Sequence, residues 1–250
     1  MKRPMQTARD HDAEFDDDAG RRYAYDFDHI MRGYMMRTLR PWFRGGPALE
    51  VGCYDGASTA LLAAEFADLT VVEASAALIE RARGRVPPEV RFVHGLVEQV
   101  QLEARYRAIF LVHTLEHIDP PGPALAALRG ALAPDGLLFV VVPNADAASR
   151  QIAVKMGLIA HNAAVTEPER RHGHRCTYRF DTLERELRDA GFGIAARGGI
   201  VFKPLANFQF DRLLADGILG LDYIEGCYAL GQQYPELCAS IHAVCTRDPS

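Results

Sequence analysis

Two glycines and two acidic residues in the first third of the chain could bind a nucleotide-like ligand. Gly52 and Gly56 follow the short apolar run Ala48–Val51, and a helical pattern begins directly after them. A strand, a glycine turn and a helix in this order open the ligand cleft of many α/β sheets. Glu50 lies near the end of that strand, where a buried carboxylate needs a hydrogen-bond partner. Glu73 ends the next apolar run, about 20 residues after Gly52, a spacing that suits hydrogen bonds to ribose hydroxyls.

A second concentration of chemical groups is the stretch Arg170–Tyr178, which reads Arg-Arg-His-Gly-His-Arg-Cys-Thr-Tyr. Clustered arginine and histidine side chains suit a phosphate or a carboxylate on a small ligand. The imidazole of His174 could also take up a proton. A solvated basic loop is the alternative interpretation of the same residues, and the sequence leaves both open.

The composition limits the partners and the compartment. The 250 residues are 48% hydrophobic, which allows one large α/β domain, and their formal net charge of −5 argues against nucleic acid as an obligate partner. Five cysteines form no CxxC pair, which is typical of a reducing compartment, so we expect a cytoplasmic protein. We expect no signal peptide and no membrane association, because no apolar stretch reaches the roughly 18–20 residues of a membrane span.

Apolar runs alternate with helical patterns along most of the chain, and this rhythm predicts βαβ units and a mostly parallel sheet. The run before the fifth strand, Ala133–Gly136, predicts a turn. A polar, histidine-rich segment up to Tyr178 carries no clear periodicity. The predicted strands are residues 48–51, 69–72, 90–94, 108–112, 137–142, 194–202 and 240–245.

The flanks of this pattern predict a lid and two insertions. Residues 1–44 are expected to form an N-terminal arm and lid helices: residues 1–20 are polar and predict a solvated arm, and residues 21–43 predict a helix that Pro41 ends or kinks. Residues 45–250 form the main domain, with pocket-building insertions at about 145–180 and 204–238. Side chains that could line a pocket from these segments are Tyr25, Asn207, Gln209 and Tyr228.

Four motifs in this order resemble the class I S-adenosylmethionine (SAM) dependent methyltransferases. Leu49–Gly56 resembles the glycine-rich first motif of the family, and Val71–Glu73 resembles its acidic second motif. Thr114–Ile118 resembles the Leu-Glu-His stretch after the fourth strand, and Leu132–Val142 resembles the approach to the fifth strand. The resemblance covers most of the chain, and the order of the motifs makes it specific.

The resemblance implies an α/β, Rossmann-like seven-stranded, mostly parallel sheet with helices on both faces and an antiparallel last strand. It implies SAM as the cofactor and methyl transfer as the reaction. With the basic stretch at 170–178, we expect the acceptor to be an oxygen, or a nitrogen, of a small anionic metabolite. Tyr54 departs from the family, which prefers glycine there, and Leu96 and Val97 could enclose the adenine ring. The residues expected to bind the cofactor are Glu50, Gly52, Cys53, Tyr54, Gly56, Glu73, Ala74, Leu96, Val97, His113 and Thr114.

Methyl transfer from a sulfonium needs an aligned acceptor and sometimes a base for its proton. The resemblance makes His117 the first candidate for the base, and His174 is the second. Ubiquinone-biosynthesis O-methyltransferases, which this stretch resembles, hold a divalent ion with two glutamates and a histidine. Here His113 takes the place of the first glutamate, before Glu116 and His117, and such a set could hold a metal other than magnesium. The spacing is short and common in proteins without a metal, so we predict none. The residues expected to bind the acceptor are Tyr25, Arg171, His172, Arg175, Tyr178 and Asn207.

Two other classes of protein fit parts of the pattern. A non-catalytic SAM-binding regulator would explain Tyr54 in the glycine turn. An NAD-dependent enzyme would also use the turn and Glu73, although the chain lacks a full GxGxxG. The sequence leaves the acceptor and the oligomeric state open, a homodimer included.

Overall fold

Seven apolar runs form one sheet in the structure, a computed structural model that describes Arg9, His11, Asp12 and residues 25–102 and 106–247. The strand order is β3-β2-β1-β4-β5-β7-β6. Strand β7 pairs antiparallel with both neighbours, and the other pairings are parallel, which confirms the predicted fold class. The strands are β1 Ala48–Val51, β2 Leu69–Glu73, β3 Arg91–His94, β4 Tyr106–Val112, β5 Leu132–Pro143, β6 Gly193–Phe202 and β7 Cys238–Thr246.

Helices cover both faces of the sheet because its central strands are apolar on both sides. On one face Phe110 of β4 stacks on Phe139 of β5, with ring centroids 4.8 Å apart. On the other face Ile109 and Leu138 belong to a separate buried cluster. The helices are α1 Asp26–Leu39, α2 Ala57–Ala63, α3 Ala76–Arg83, α4 Pro121–Ala131, α5 Ala148–Lys155, α6 Glu167–Arg171, α7 Phe180–Asp189, α8 Asn207–Ala215 and α9 Leu221–Gly231.

Helix α1 packs into the same core as the sheet. It is followed by a single 3-10 turn, Arg40–Trp42, which contains Pro41, as predicted. Its first turn is held by α8: the backbone N–H of Phe27 donates to the Asp211 carboxylate (2.8 Å), and the Phe27 ring stacks on Phe210 at 4.4 Å. Residues 21–24 and most of the predicted arm lie outside the described residues. The division at residue 44 stays a prediction.

Three local assignments differ from the sequence-based prediction. The predicted turn Ala133–Gly136 lies within β5, where a register shift against β4 absorbs it. The polar segment contains α6, whose start is a capping box: the Thr166 hydroxyl accepts from the backbone N–H of Glu169, and the Glu169 carboxylate accepts from the backbone N–H of Thr166 (2.7 Å). The second insertion forms α8 and α9. Within the described part of the chain, no helix combines the length and the apolar character that crossing a bilayer requires.

Candidate active site

One cavity of about 580 Å³ lies at the carboxyl ends of the parallel strands. Strand β1 pairs with β2 on one side and with β4 on the other, so the chain reverses its direction of strand addition there. Open α/β sheets bind ligands at this point. The antiparallel β7 brings its amino end, with Ser240, to the same edge. The volume suits a ligand of cofactor size together with a small second molecule.

Both glycines of the turn are required by protein contacts. Gly52 has φ +79°, and a Cβ atom there would lie 2.7 Å from the Thr114 hydroxyl, which donates to the Val51 carbonyl. Gly56 has φ +82°, and a Cβ atom there would lie 2.9 Å from the Cα of Ala82 in α3. Any side chain would therefore separate the turn from β4 or from α3. Gly52 lines the cavity, and Gly56 does not.

Tyr54 adopts the left-handed backbone that glycine would favour, with φ +47°. Its side chain lines the cavity between two guanidinium groups, with the Arg32 and Arg81 carbons 5.7 and 5.4 Å from the ring centroid. Cation–π contacts of this kind stabilise the ring position. The departure from glycine therefore adds an aromatic wall to the cavity while the turn keeps its shape.

The carboxylate of Glu73 is fixed at the end of β2. It accepts the backbone N–H groups of Cys53 and Ser75, each at 2.9 Å. A carboxylate has about four lone-pair sites, and the Cys53 thiol, 3.6 Å from one oxygen, is a weak third donor, so further donors can be accommodated. Glu73 also lines the cavity, next to Ala74 and the Leu96–Val97 segment. The arrangement suits a ribose with two neighbouring hydroxyls and an apolar slot for a base.

Glu50 lies behind the cavity wall. It is almost fully buried on β1, and among the described residues neither carboxylate oxygen has a hydrogen-bond partner. Burial raises the pKa of this carboxyl to about 8, so most of it is protonated at neutral pH. Glu50 is predicted to bind the cofactor, but its side chain does not line the cavity.

Three half-buried imidazoles lie where β4 ends. His113 has φ +52°, and its Nε2 is 2.9 Å from the Ser240 hydroxyl. The rings of His117 and His174 contact each other edge to face, with centroids 4.5 Å apart. Burial lowers the pKa of His113 to about 3 and that of His174 to about 4, and it lowers the pKa of His117 well below its ordinary value. All three are neutral at pH 7, and none holds a proton well.

Two of these rings and a neighbouring carboxylate could coordinate a metal ion. Ligand atoms of Glu116, His117 and His174 lie within 4.8 Å of one another in the described part of the chain. Both oxygens of Glu116 are buried without a hydrogen-bond partner among the described residues, as an unfilled ligand position would be. Two imidazoles and a carboxylate suit a first-row transition metal better than magnesium. His113 is not in this group.

The basic stretch does not direct its arginines into the cavity. Helix α6 places Arg171 on the surface, where it pairs with Glu167 at 3.0 Å. Arg175 pairs with Asp119 at 2.7 Å. Tyr178 is buried outside the cavity, and its hydroxyl donates to Glu186.

The predicted site residues divide into two sets. Those that line the cavity are Tyr25, Gly52, Cys53, Tyr54, Glu73, Ala74, Leu96, Val97, His113, Thr114, His117, His172, His174 and Asn207. Those that lie outside it are Glu50, Gly56, Arg171, Arg175 and Tyr178, together with Gln209 and Tyr228.

The sequence-based prediction missed a row of half-buried polar side chains that hydrogen-bond to one another at the far end of the cavity. Lys203, directly after β6, donates to the Asn207 side-chain carbonyl, and the Asn207 amide donates to the Asp28 carboxylate at 2.7 Å. The backbone N–H of Tyr25 donates to the other Asp28 oxygen at 2.8 Å. A lysine that ends an apolar strand, in a chain otherwise rich in arginine, is the signal that could have identified it.

The described residues of the N-terminal arm lie at the rim of the cavity and remain open to solvent. Arg9 donates to the Gly173 carbonyl at 3.2 Å, and Asp12 accepts the backbone N–H of Ala77 at 3.3 Å and the Ser75 hydroxyl. Arg9 and His11 line the cavity. Arg9 and Asp12 are exposed, as the predicted solvated arm requires, and the hydrogen bonds add contacts with the cavity rim that the sequence did not predict.

Comparisons with known proteins point to one family. The family described as Methyltransferase domain matches residues 23–196. The chain is 24% identical over 199 residues to the mitochondrial ubiquinone biosynthesis O-methyltransferase of Schizosaccharomyces pombe, covering 76% of this chain and 72% of that protein. It is 27% identical over 177 residues to the ubiquinone biosynthesis O-methyltransferase of Xylella fastidiosa, covering 65% and 67%.

The fold agrees with this assignment. The N-methyltransferase NodS of Bradyrhizobium japonicum WM9, solved with S-adenosyl-L-homocysteine (SAH), superposes with a TM-score of 0.61 over 95% of both chains at 16% identity. The family match spans more than half of the chain, and three of the four motifs of the sequence line one cavity. The chain therefore belongs to the methyltransferase domain family, and its resemblance to the class I SAM-dependent methyltransferases is confirmed.

Proposed function

We propose that this protein transfers a methyl group from SAM to an oxygen, or a nitrogen, of a small metabolite. The observation that carries the proposal is the Glu73 carboxylate, which two backbone N–H groups hold at the cavity wall beside the glycine turn. That arrangement binds the nucleoside half of SAM and leaves the His113 end of the cavity for an acceptor. Oxygen is the favoured acceptor atom because the two ubiquinone-type relatives are O-methyltransferases.

The chain's own residues would bind and orient the cofactor. Leu96 and Val97 would enclose the adenine, and Glu73 would accept hydrogen bonds from the ribose hydroxyls. Arg32, beside Tyr54, would pair with the methionine carboxylate. When bound, SAM supplies a methyl group on a sulfonium. Cofactor and acceptor together would displace water from the cavity, and that water would otherwise compete with the acceptor.

We propose a small acceptor with an anionic group, as the sequence predicted, but with different contacts. Arg171 and Arg175 are held in ion pairs outside the cavity, so they do not supply the positive charge. Arg9, which lines the cavity beside His117, takes that place in the proposal. The five free cysteines support a reducing compartment, such as the cytoplasm, for the reaction.

Calorimetric titration with SAM, SAH and NAD tests the cofactor. We expect micromolar binding of SAM and SAH and no heat from NAD. Transfer of label from [methyl-³H]SAM to a panel of phenols, catechols, hydroxy acids and amines then tests the reaction. Absence of SAM binding at millimolar concentration contradicts the proposal, and NAD binding in its place identifies a dinucleotide enzyme. Tight SAM binding without transfer to any panel member favours the regulatory protein.

Replacing Tyr54 with glycine tests the aromatic wall. We expect the affinity for SAH to fall about 3- to 10-fold, because the apolar ring surface is lost from the cavity. The free energy of unfolding should change by less than about 1 kcal/mol, because relief of the left-handed backbone offsets the lost contacts. Calorimetry and urea unfolding measure the two quantities. Tyr234→Ala, at a half-exposed tyrosine outside the cavity, is the control. Unchanged SAH affinity in Tyr54→Gly would show that the ring does not cover the cofactor.

A further inference from the structure

Lys203 is a half-buried cationic side chain in the cavity wall. It follows β6 directly, and α5 packs against its backbone: the Ser149 N–H donates to the Lys203 carbonyl at 3.0 Å. The ammonium group has three donors. Among the residues that the structure describes, its one hydrogen bond is to the Asn207 side chain. The ammonium nitrogen also lies 5.9 Å from the centroid of the Phe27 ring, so at least one N–H group remains for a molecule in the cavity.

The charged groups around Lys203 come from three other elements. Asp28 of α1 is reached through Asn207, and it favours the protonated lysine. Arg150 of α5 disfavours that form, although its guanidinium is already paired with Glu169 at 2.5 Å. His113, after β4, is neutral near pH 7. Burial is the largest influence, and it lowers the pKa of Lys203 to about 8. About one molecule in ten then carries a neutral amine at pH 7.

The residue type is informative in this chain. The sequence contains three lysines, Lys2, Lys155 and Lys203, against 25 arginines. Arginine keeps its proton throughout the physiological range, whereas a buried lysine can release and regain one. If the position of Lys203 needed only a positive charge, arginine would be expected there, as at most cationic positions of this protein. The half-buried position in the cavity carries instead the cation that can titrate.

Other bases in the cavity are poorly matched to an acceptor proton. The pKa of His113 is lowered to about 3 and that of His174 to about 4, so their neutral rings attract protons weakly. A general base is most effective when its pKa lies near the working pH. Lys203 meets that condition and lies at the end of the cavity away from Glu73, since β6 and β2 are on opposite sides of the central strand β4.

We propose that Lys203 is the proton acceptor of the methyl transfer, with Asn207 and Asp28 holding its amine toward the acceptor. This inference rests on the proposed function. A lone pair of the acceptor oxygen or nitrogen forms the bond to the methyl carbon. The carbon–sulfur bond breaks, and its electron pair stays on sulfur. The proton of the acceptor hydroxyl or amine moves to Nζ of Lys203 and is released to water when the product leaves.

Nuclear magnetic resonance of protein labelled with [13Cε]lysine tests the titration without an acceptor. Three lysines give three resonances, and Lys155→Arg and Lys203→Met assign two of them. In the SAH complex we expect Lys203 to titrate with a midpoint near 8. A Lys203 midpoint at or above 10 overturns the proposal. This measurement uses the wild-type fold, so it stands even if a variant is unstable.

Turnover of the variants separates a base from a structural cation. With the panel acceptor that the wild-type protein methylates fastest, Lys203→Met and Lys203→Arg should both lower kcat about 100-fold or more, with SAH affinity within about threefold of wild type. Lys155→Met is the matched control. Rescue of kcat by Lys203→Arg, or full kcat in Lys203→Met, overturns the proposal. Failure of the wild-type protein to bind SAM would instead contradict the proposed function.

Discussion

Replacing Glu73 with alanine is expected to lower the affinity for SAH about 100-fold or more. Two hydrogen bonds from ribose hydroxyls to an ionised carboxylate contribute about 1.5–3 kcal/mol each, and both are lost. The same carboxylate accepts the backbone N–H groups of Cys53 and Ser75, so the glycine turn also loses its anchor. Calorimetric titration with SAH measures the loss.

Two further variants separate ligand contact from support of the turn. Glu80→Ala removes an exposed glutamate from α3 and should leave SAH affinity unchanged. Glu73→Gln retains the shape of the side chain but turns one acceptor into a donor, so we expect an intermediate affinity. Urea unfolding of all three variants shows whether the fold survives. A folded Glu73→Ala protein with wild-type SAH affinity would contradict the assignment of Glu73 to the ribose.

Replacing Glu50 with glutamine is expected to stabilise the ligand-free protein at neutral pH by a few kcal/mol. Glutamine is neutral at every pH, so folding no longer requires the uptake of a proton at this position. Burial raises the pKa of Glu50 from 4.5 to about 8. Between these values the folded protein holds a proton that the unfolded chain has released. The stability contributed by the neutral carboxyl is complete below pH 4.5, falls as the pH rises, and is lost above about 8.

Urea unfolding of wild type and Glu50→Gln from pH 5 to pH 9 measures this effect as a difference between the two proteins. We expect that difference to grow from pH 5 to pH 8 and then to level off. Taking the difference removes the contribution of Glu116, whose pKa burial also raises to about 8. Glu80→Gln, at an exposed site, should show no difference at any pH. A pH-independent difference for Glu50→Gln would mean that the Glu50 carboxyl is ionised in the folded protein.

The same Glu50 variant tests the predicted cofactor contact. The Glu50 side chain does not line the cavity, yet the charges of Arg32 and Glu73 lie close enough to affect the pKa of its carboxyl. If Glu50 holds the methionine end of SAM, Glu50→Gln should lower SAH affinity as it raises stability. Unchanged SAH affinity would mean that Glu50 does not contact the cofactor and affects only stability, because ionisation of its buried carboxyl opposes folding.

Local motifs predicted the cofactor end of the site because its residues are close in sequence and lie on neighbouring strands. Gly52, Tyr54 and Glu73 all follow the ends of β1 and β2, which pair directly. A strand that is apolar on both faces must be central, and parallel pairing brings the carboxyl ends to one edge. Those two rules are enough to place the turn and the acid together.

The acceptor end was harder to predict because its residues come from distant parts of the chain. Residues 170–178 have the composition of an anion site, yet the capping box at Thr166 starts a helix that directs Arg171 to the surface. The Thr-x-x-Glu signature of that box was readable, but the direction of the arginine depends on how the short helix packs.

The sequence by itself determined the fold class, the glycine turn, the acid of β2 and the membership of the family. Only the tertiary structure decided the other half of the cavity. Asp28, Asn207 and Lys203 meet because Asp211 and Phe210 of α8 hold the first turn of α1 against the end of β6. Contacts between residues about 180 positions apart leave no periodicity or spacing to detect, since they depend on packing between elements and not on local propensity.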